Sequence, residues 1–100
     1  MPSMKSLAEK ELEEFDKVFK ALSHPTRRYI LVVLKSRGDK MPAGDIVKAF
    51  QYSWPTITRH LQQLEDAGII TVTKSGTQNL YEFNRKMMTG ILKNWIQWFH

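Results

Sequence analysis

The 100-residue chain has no cysteine. That removes disulfides, a thiolate nucleophile, a thiol redox switch and every thiolate metal site. Long apolar runs are also missing: no stretch approaches the ~18 residues of a membrane span, and Met1-Pro2-Ser3-Met4-Lys5 leads straight into a charged segment. A soluble intracellular protein, cytoplasmic and away from membranes, is the expectation. There is no internal repeat, low-complexity stretch or interdomain linker. With 42% apolar residues, residues 1–100 read as one domain with one small core. A chain of this size buries about 60–70% of its unfolded surface, enough for a fold but rarely for a deep substrate cleft as well. No Ser-His-acid arrangement can be assembled and Ser53 reads as a helix cap, so no catalytic residue and no cofactor are expected.

What is present is a local excess of positive charge. Fifteen basic residues face ten acidic ones, a net charge of +5. Residues 1–22 carry four Lys against five acids, residues 23–64 seven basic residues against two acids, and residues 65–100 four against three. The middle of the chain therefore holds the excess, which points to an anionic partner for that stretch.

From Leu7 to Leu22 the residues Ala8, Leu12, Phe15, Val18, Phe19 and Leu22 recur mostly at three- and four-residue steps. Acids lie early and lysines late, as suits a helix dipole. Ser23-His24-Pro25 breaks this helix. A second, opened by Pro25, is nearly all apolar beyond Arg28 and is expected to be the central buried one. After the Ser36-Arg37-Gly38-Asp39 stop, Met41-Pro42-Ala43-Gly44-Asp45 starts a third, short helix ending near Phe50. A three-residue turn follows. Ser53 then caps a fourth helix, with Pro55 in its first turn, an apolar stripe of Ile57, Leu61 and Leu64, and a stop at Gly68. Two helices joined so tightly spell helix-turn-helix.

Beyond Gly68 the period changes. Ile70, Val72 and Lys74, then Leu80, Glu82 and Asn84, flank the turn Ser75-Gly76-Thr77-Gln78, a hairpin that makes a wing. Met88, Ile91, Leu92, Trp95, Ile96 and Phe99 return to helical spacing between Arg85 and His100. The fold class is thus mainly α with a small β-hairpin, a winged helix-turn-helix in the order α-α-α-α-β-β-α.

Three segments carry a resemblance: Phe19-Lys20-Ala21-Leu22-Ser23-His24-Pro25-Thr26-Arg27-Arg28, Ser53-Trp54-Pro55-Thr56-Ile57-Thr58-Arg59-His60-Leu61, and Leu64-Glu65-Asp66-Ala67-Gly68-Ile69-Ile70. In this order and spacing the chain, from about Val18 to Phe83, resembles the ArsR-type winged helix-turn-helix repressors. Met41-Pro42-Ala43-Gly44-Asp45-Ile46 further resembles their SdpR-like branch of metal-independent autorepressors. The resemblance implies a homodimer, joined by first and last helices, that occludes a promoter by binding an imperfect palindrome in double-stranded DNA. Metal-sensing members place thiolates just before the position of Asp45-Ile46, or paired His and carboxylates along the last helix. Here Pro42-Ala43-Gly44 and a terminal His100 stand instead, so no metal site is expected. An unidentified inducer or a sequestering protein is left open.

With Ile57, Leu61 and Leu64 turned inward, Thr56, Thr58, Arg59, Gln62 and Gln63 fall outside, behind Trp54 and Pro55 at the leading end. Thr56 and Thr58 suit base edges or thymine methyls, Arg59 a guanine or a phosphate, and Gln62 reaches further along. The resemblance puts contacts at Trp54, Pro55, Thr58 and Arg59, Trp54 replacing the polar residue usual there. Ser53, Trp54, Pro55, Thr56, Thr58, Arg59 and Gln62 are the candidate DNA contacts of this helix. Lys74, Ser75, Gly76, Thr77 and Gln78 form a polar wing tip able to follow phosphates or the minor groove. Lys40, Ala43 and Gly44, at the expected start of the third helix, and Lys48 within it are candidate phosphate contacts. Arg27 is expected in a structural ion pair, and Arg28 is left undecided. His24, His60 and His100 are scattered and read as capping, packing and fraying residues. Leu12, Phe15, Phe19, Met88, Ile91, Leu92, Trp95 and Phe99 are the candidate dimer interface, favoured over a small-molecule pocket. The rival function is a winged-helix module that binds another protein through the aromatic last helix.

Overall fold

In the computed structural model, helix α1 (Leu7–Leu22) meets its end at a pair of arginines supplied by the next helix. Arg27 donates from Nε to the Ala21 carbonyl at 2.6 Å and from Nη2 to the Lys20 carbonyl at 3.0 Å. Arg28 donates from Nη1 to the Leu22 carbonyl at 2.7 Å. The last carbonyls of a helix have no partner within it, and two guanidiniums satisfy them while complementing the negative end of the dipole. Arg27 thus works through backbone carbonyls rather than the expected ion pair. The structure describes residues 7–99; the side chains of Leu7 and Ala8, and His100 with its expected fraying, lie outside the described residues.

Helix α2 (Pro25–Ser36) starts at His24, whose Nδ1 accepts from the Thr26 amide at 3.1 Å, with Pro25 in the first turn. It is not buried all round as its composition suggests. Thr26, Ile30, Leu31 and Leu34 face the core, whereas Tyr29 and Val32 are each 62% exposed. A helix turns every 3.6 residues, and this one has neighbours on one side only.

Gly38 and Asp39, with φ of +79° and +72°, turn the chain into a strand that periodicity did not reveal. Strand β1 (Lys40–Pro42) pairs antiparallel with β3, Met41 opposite Tyr81. Lys40, Met41 and Pro42 therefore precede the third helix instead of opening it. Pro42 is tolerated because β1 is an edge strand that can spare a donor. Helix α3 (Ala43–Lys48) stops two residues before Phe50, and α4 (Trp54–Asp66) follows. Strands β2 (Ile70–Ser75) and β3 (Gln78–Phe83) close through Gly76-Thr77, giving a sheet of order β1-β3-β2. Gly76, at φ +63°, takes the first place of this two-residue loop, where L side chains are strained. Asn84 leaves the strand and caps α5 (Arg85–Ile96), its Oδ1 accepting from the Met87 amide at 3.2 Å. A 3₁₀ turn, Gln97–Phe99, ends the described chain in place of further α-helix.

The core lies where the helix-turn-helix meets the wing. Val18, Ile30, Leu34, Ile46, Ile57, Leu61, Leu64, Ile69 and Ile70 are fully buried, joined by Tyr81 and Phe83 from the return strand. Burying one such aliphatic side chain contributes about 1.5–3 kcal/mol. The stripe Ile57, Leu61, Leu64 thereby fixes which face of α4 is left to solvent. Among the described residues no helix is long and apolar enough to cross a membrane.

Candidate nucleic-acid interface

Helix α4 begins with a double use of Ser53. Its Oγ accepts from the Thr56 amide at 3.3 Å and lies 3.0 Å from the Thr56 hydroxyl. The cap ties Thr56 back to the helix start, so Thr56 is half-buried, while Thr58 and Arg59 on the next turn stand exposed. Further along, the Gln62 amide donates to Asp66 Oδ1 at 2.9 Å, an i to i+4 bond that holds it along the helix. The front end of α4 thus presents Thr58 and Arg59 as open polar groups, and Thr56 and Gln62 as groups already engaged.

Trp54 is 55% exposed, yet its ring has a seat. A Cβ on Gly44 would lie 3.8 Å from indole carbons Cζ2 and Cη2, so the ring rests over the first turn of α3. Together these residues bound a cleft of about 390 Å³. Pro42, Ala43, Gly44, Asp45 and Lys48 form one side, Trp54 stands at the front of α4, and Thr77, Gln78 and Asn79 close it from the wing. The fold therefore gathers Ala43, Gly44, Lys48, Trp54, Thr77 and Gln78 around one opening. Lys40 sits in β1 opposite Glu82, and it does not line the cleft. Lys74, Ser75 and Gly76 are exposed along the wing. The sequence reading missed Asp45 and Asn79, which also line the opening. Only the pairing of β3 with β1 brings Asn79 towards α3, and no local pattern encodes that.

His24, Arg27, Arg59 and His60 form a basic cluster on and beside α4. His60 Nδ1 is 3.4 Å from Arg27 Nη1, and the His24 and His60 rings are 4.5 Å apart. Burial, and then the charges of His24, Arg27 and Arg59, hold the His60 imidazole below its ordinary value of 6.5. His24 caps and His60 packs, the roles expected of them. Among the described residues no three His, Cys, Asp or Glu side chains gather as a metal site.

The aromatic face forms on α1, α5 and the terminal 3₁₀ turn. Phe19 of α1 meets Trp95 of α5 edge to face at 5.2 Å, and Trp95 meets Phe99 at 5.0 Å. Leu12, Phe19, Trp95, Ile96, Trp98 and Phe99 remain exposed, and Phe19, Trp95 and Phe99 join into one patch of the kind that marks interaction surfaces. Met88, Ile91 and Leu92 are half-buried on the core side of α5. Phe15, 2% exposed, is already buried within the chain, so it supports this face from beneath rather than presenting area to a partner.

Residues 22–73 match the helix-turn-helix domain family. The chain is 43% identical over 81 residues to the transcriptional repressor SdpR of Bacillus subtilis (strain 168), covering 81% of this chain and 83% of that protein. It is 32% identical over 82 residues to the arsenical resistance operon repressor of Staphylococcus xylosus, covering 82% and 77%. Among solved structures, a crystal structure of an ArsR family transcriptional regulator is similar at TM-score 0.77 and 29% identity, over 94% of this chain and 90% of that one. The solution structure of a homodimeric winged helix-turn-helix DNA-binding domain from Mycobacterium bovis shares the fold at TM-score 0.75 and 23% identity, over 97% and 87%.

Proposed function

We propose, since the chain belongs to the ArsR-type helix-turn-helix family of transcription regulators, that it is a homodimeric repressor occluding promoter DNA at an inverted repeat. It is a regulator and not an enzyme. The observation that carries the reading is an opening shared by Trp54 at the front of α4, the start of α3 and the wing tip, with Thr58 and Arg59 exposed further along α4. Its own lining carries one cation, Lys48, and one acid, Asp45, and the basic excess belongs to the surrounding residues 23–64. In such proteins the second helix of the pair enters the major groove by its N-terminal end.

In this reading Thr58 and Arg59 read base edges, with Trp54 and Pro55 at the leading end and Ser53 and Thr56 setting the helix start. Gln62 acts through its bond to Asp66, at the margin of the contact. Lys48, Lys74 and the wing residues Ser75, Gly76, Thr77 and Gln78 follow the phosphates beside Ala43 and Gly44, and Lys40 contributes long-range attraction. Two copies join through Leu12, Phe19, Met88, Ile91, Leu92, Trp95 and Phe99, spacing their α4 helices about one DNA turn apart. We read residues 1–100 as one cytoplasmic domain that works without a metal signal. The support for the last point is the donor set: no cysteine, and Pro42-Ala43-Gly44 where metal-sensing members carry thiolates.

The test is fluorescence anisotropy of the purified protein on the DNA upstream of its own gene, against a scrambled duplex and at several salt concentrations. Saturable preference for the native duplex with two chains per site is the expected result. Equal, steeply salt-dependent binding to both duplexes would reduce the reading to basic-patch attraction. No binding near physiological salt would favour the protein-interaction module instead. Thr58→Ala should relax sequence preference, whereas Lys74→Ala should weaken all sequences about equally and shallow the salt slope by ~1.

A further inference from the structure

The exposed face of helix α2 sets Tyr29 and Val32 among Arg28 and Lys35, and it borders an open-sided hollow of about 250 Å³. Leu22 at the end of α1, Leu31 and Val32 of α2, Phe83 at the end of β3 and Met88 of α5 give it an apolar lining. Arg28 and Lys35 complete the lining, and among the described residues no acid contributes to it. The two cations stand seven positions apart on α2, about 10 Å along the helix. One Arg28 N–H is already committed to the Leu22 carbonyl at 2.7 Å, which leaves the exposed Lys35 ammonium as the freer charge.

An apolar hollow with a cationic rim complements one kind of molecule: an apolar chain that ends in an anion. The hollow is open on one side, so it covers one face of a short alkyl chain and leaves the other to solvent. We propose that this hollow binds a free medium-chain carboxylate, its chain against Leu31, Val32 and Phe83 and its head paired with Lys35. Occupancy concerns the protein alone and goes beyond the DNA-binding reading. Only its use as a signal, through Phe83 at the root of the wing, would rest on that reading.

The experiment is isothermal titration calorimetry of the full chain, without DNA, using hexanoate, octanoate, decanoate and decyltrimethylammonium below their micellar concentrations. One carboxylate per chain should bind. Affinity should rise about twofold per added methylene, half of each being covered, and level off once the chain outgrows the hollow. Decyltrimethylammonium should bind at least about tenfold more weakly than decanoate, and Lys35→Glu and Val32→Glu should each lose about tenfold for decanoate. Both sites are exposed, so the variants should keep the circular dichroism spectrum and melting of the parent. No saturable binding of decanoate up to about 10 mM would overturn the proposal. Equal affinity for the cation, or unchanged affinity in both variants, would do the same. So would a Val32→Glu chain that turns from dimer to monomer in light scattering, since a second copy would then be the occupant.

Discussion

Arg27 and His60 share one contact, and the direction of its proton logic is fixed by the surroundings. With Arg27 Nη1 at 3.4 Å from His60 Nδ1, the neutral ring can accept, whereas the protonated ring puts a second cation against the guanidinium. Burial and the charges of His24, Arg27 and Arg59 lower the folded-state value of His60 below the 6.5 of an unfolded chain. Between those two values the unfolded chain binds more protons, so stability is full above about pH 6.5 and is lost as pH falls through the interval. Thermal melts between about pH 5 and 8 should show this decline, and His60→Gln should flatten it. An unchanged decline in the variant would place the titration elsewhere. The cluster also marks what a sequence can and cannot reveal about single residues. His24 as a cap is legible because Pro25 follows it; the partners of Arg27 are main-chain carbonyls at the end of another helix, which no side-chain pattern records.

Among the elements, α4 is the one most dependent on its ends. Removing the Ser53 hydroxyl leaves the Thr56 amide without its acceptor and frees the Thr56 hydroxyl, so Ser53→Ala should cost about 1 kcal/mol in urea denaturation. At the far end Gly68 has φ +76°, and a Cβ there would stand 3.3 Å from Met87 Cε. Gly68→Ala should therefore destabilise by about 1 kcal/mol or more, its backbone strain adding to whatever Met87 fails to yield. A loss well under half that size would mean that α4 ends equally well without a left-handed residue. These ends, and the stripe Ile57, Leu61, Leu64 between them, were legible because each is a local signal. Strand β1 was not: three residues are too few to show a period, and Pro42 followed by Ala43 and Gly44 reads equally well as a helix start. The exposed back of α2 was hidden for the opposite reason, because an unbroken apolar run carries no phase.

At the scale of the molecule, the acids of residues 1–22 and the aromatic face belong to the first and last helices, and the basic excess to the elements between them. Placing a charge on the aromatic face should separate the copies without touching the DNA side. Phe99→Asp, at a residue 71% exposed, should shift light scattering from dimer to monomer and make the melting temperature independent of concentration. Operator affinity should fall with it, because each half-site would then be bound alone. A variant still dimeric at micromolar concentration would move the interface away from the end of α5.

The three tryptophans divide along the same line. Trp54 lies over Gly44, and Trp95 and Trp98 belong to the last helix and its terminal turn. Each is more than a third exposed, so the emission of the free chain should be red-shifted, and covering either place should move it towards the blue. A chain reduced to Trp54 would then glow as a gauge of nucleic acid, and one reduced to Trp95 and Trp98 as a gauge of self-association, with no attached dye.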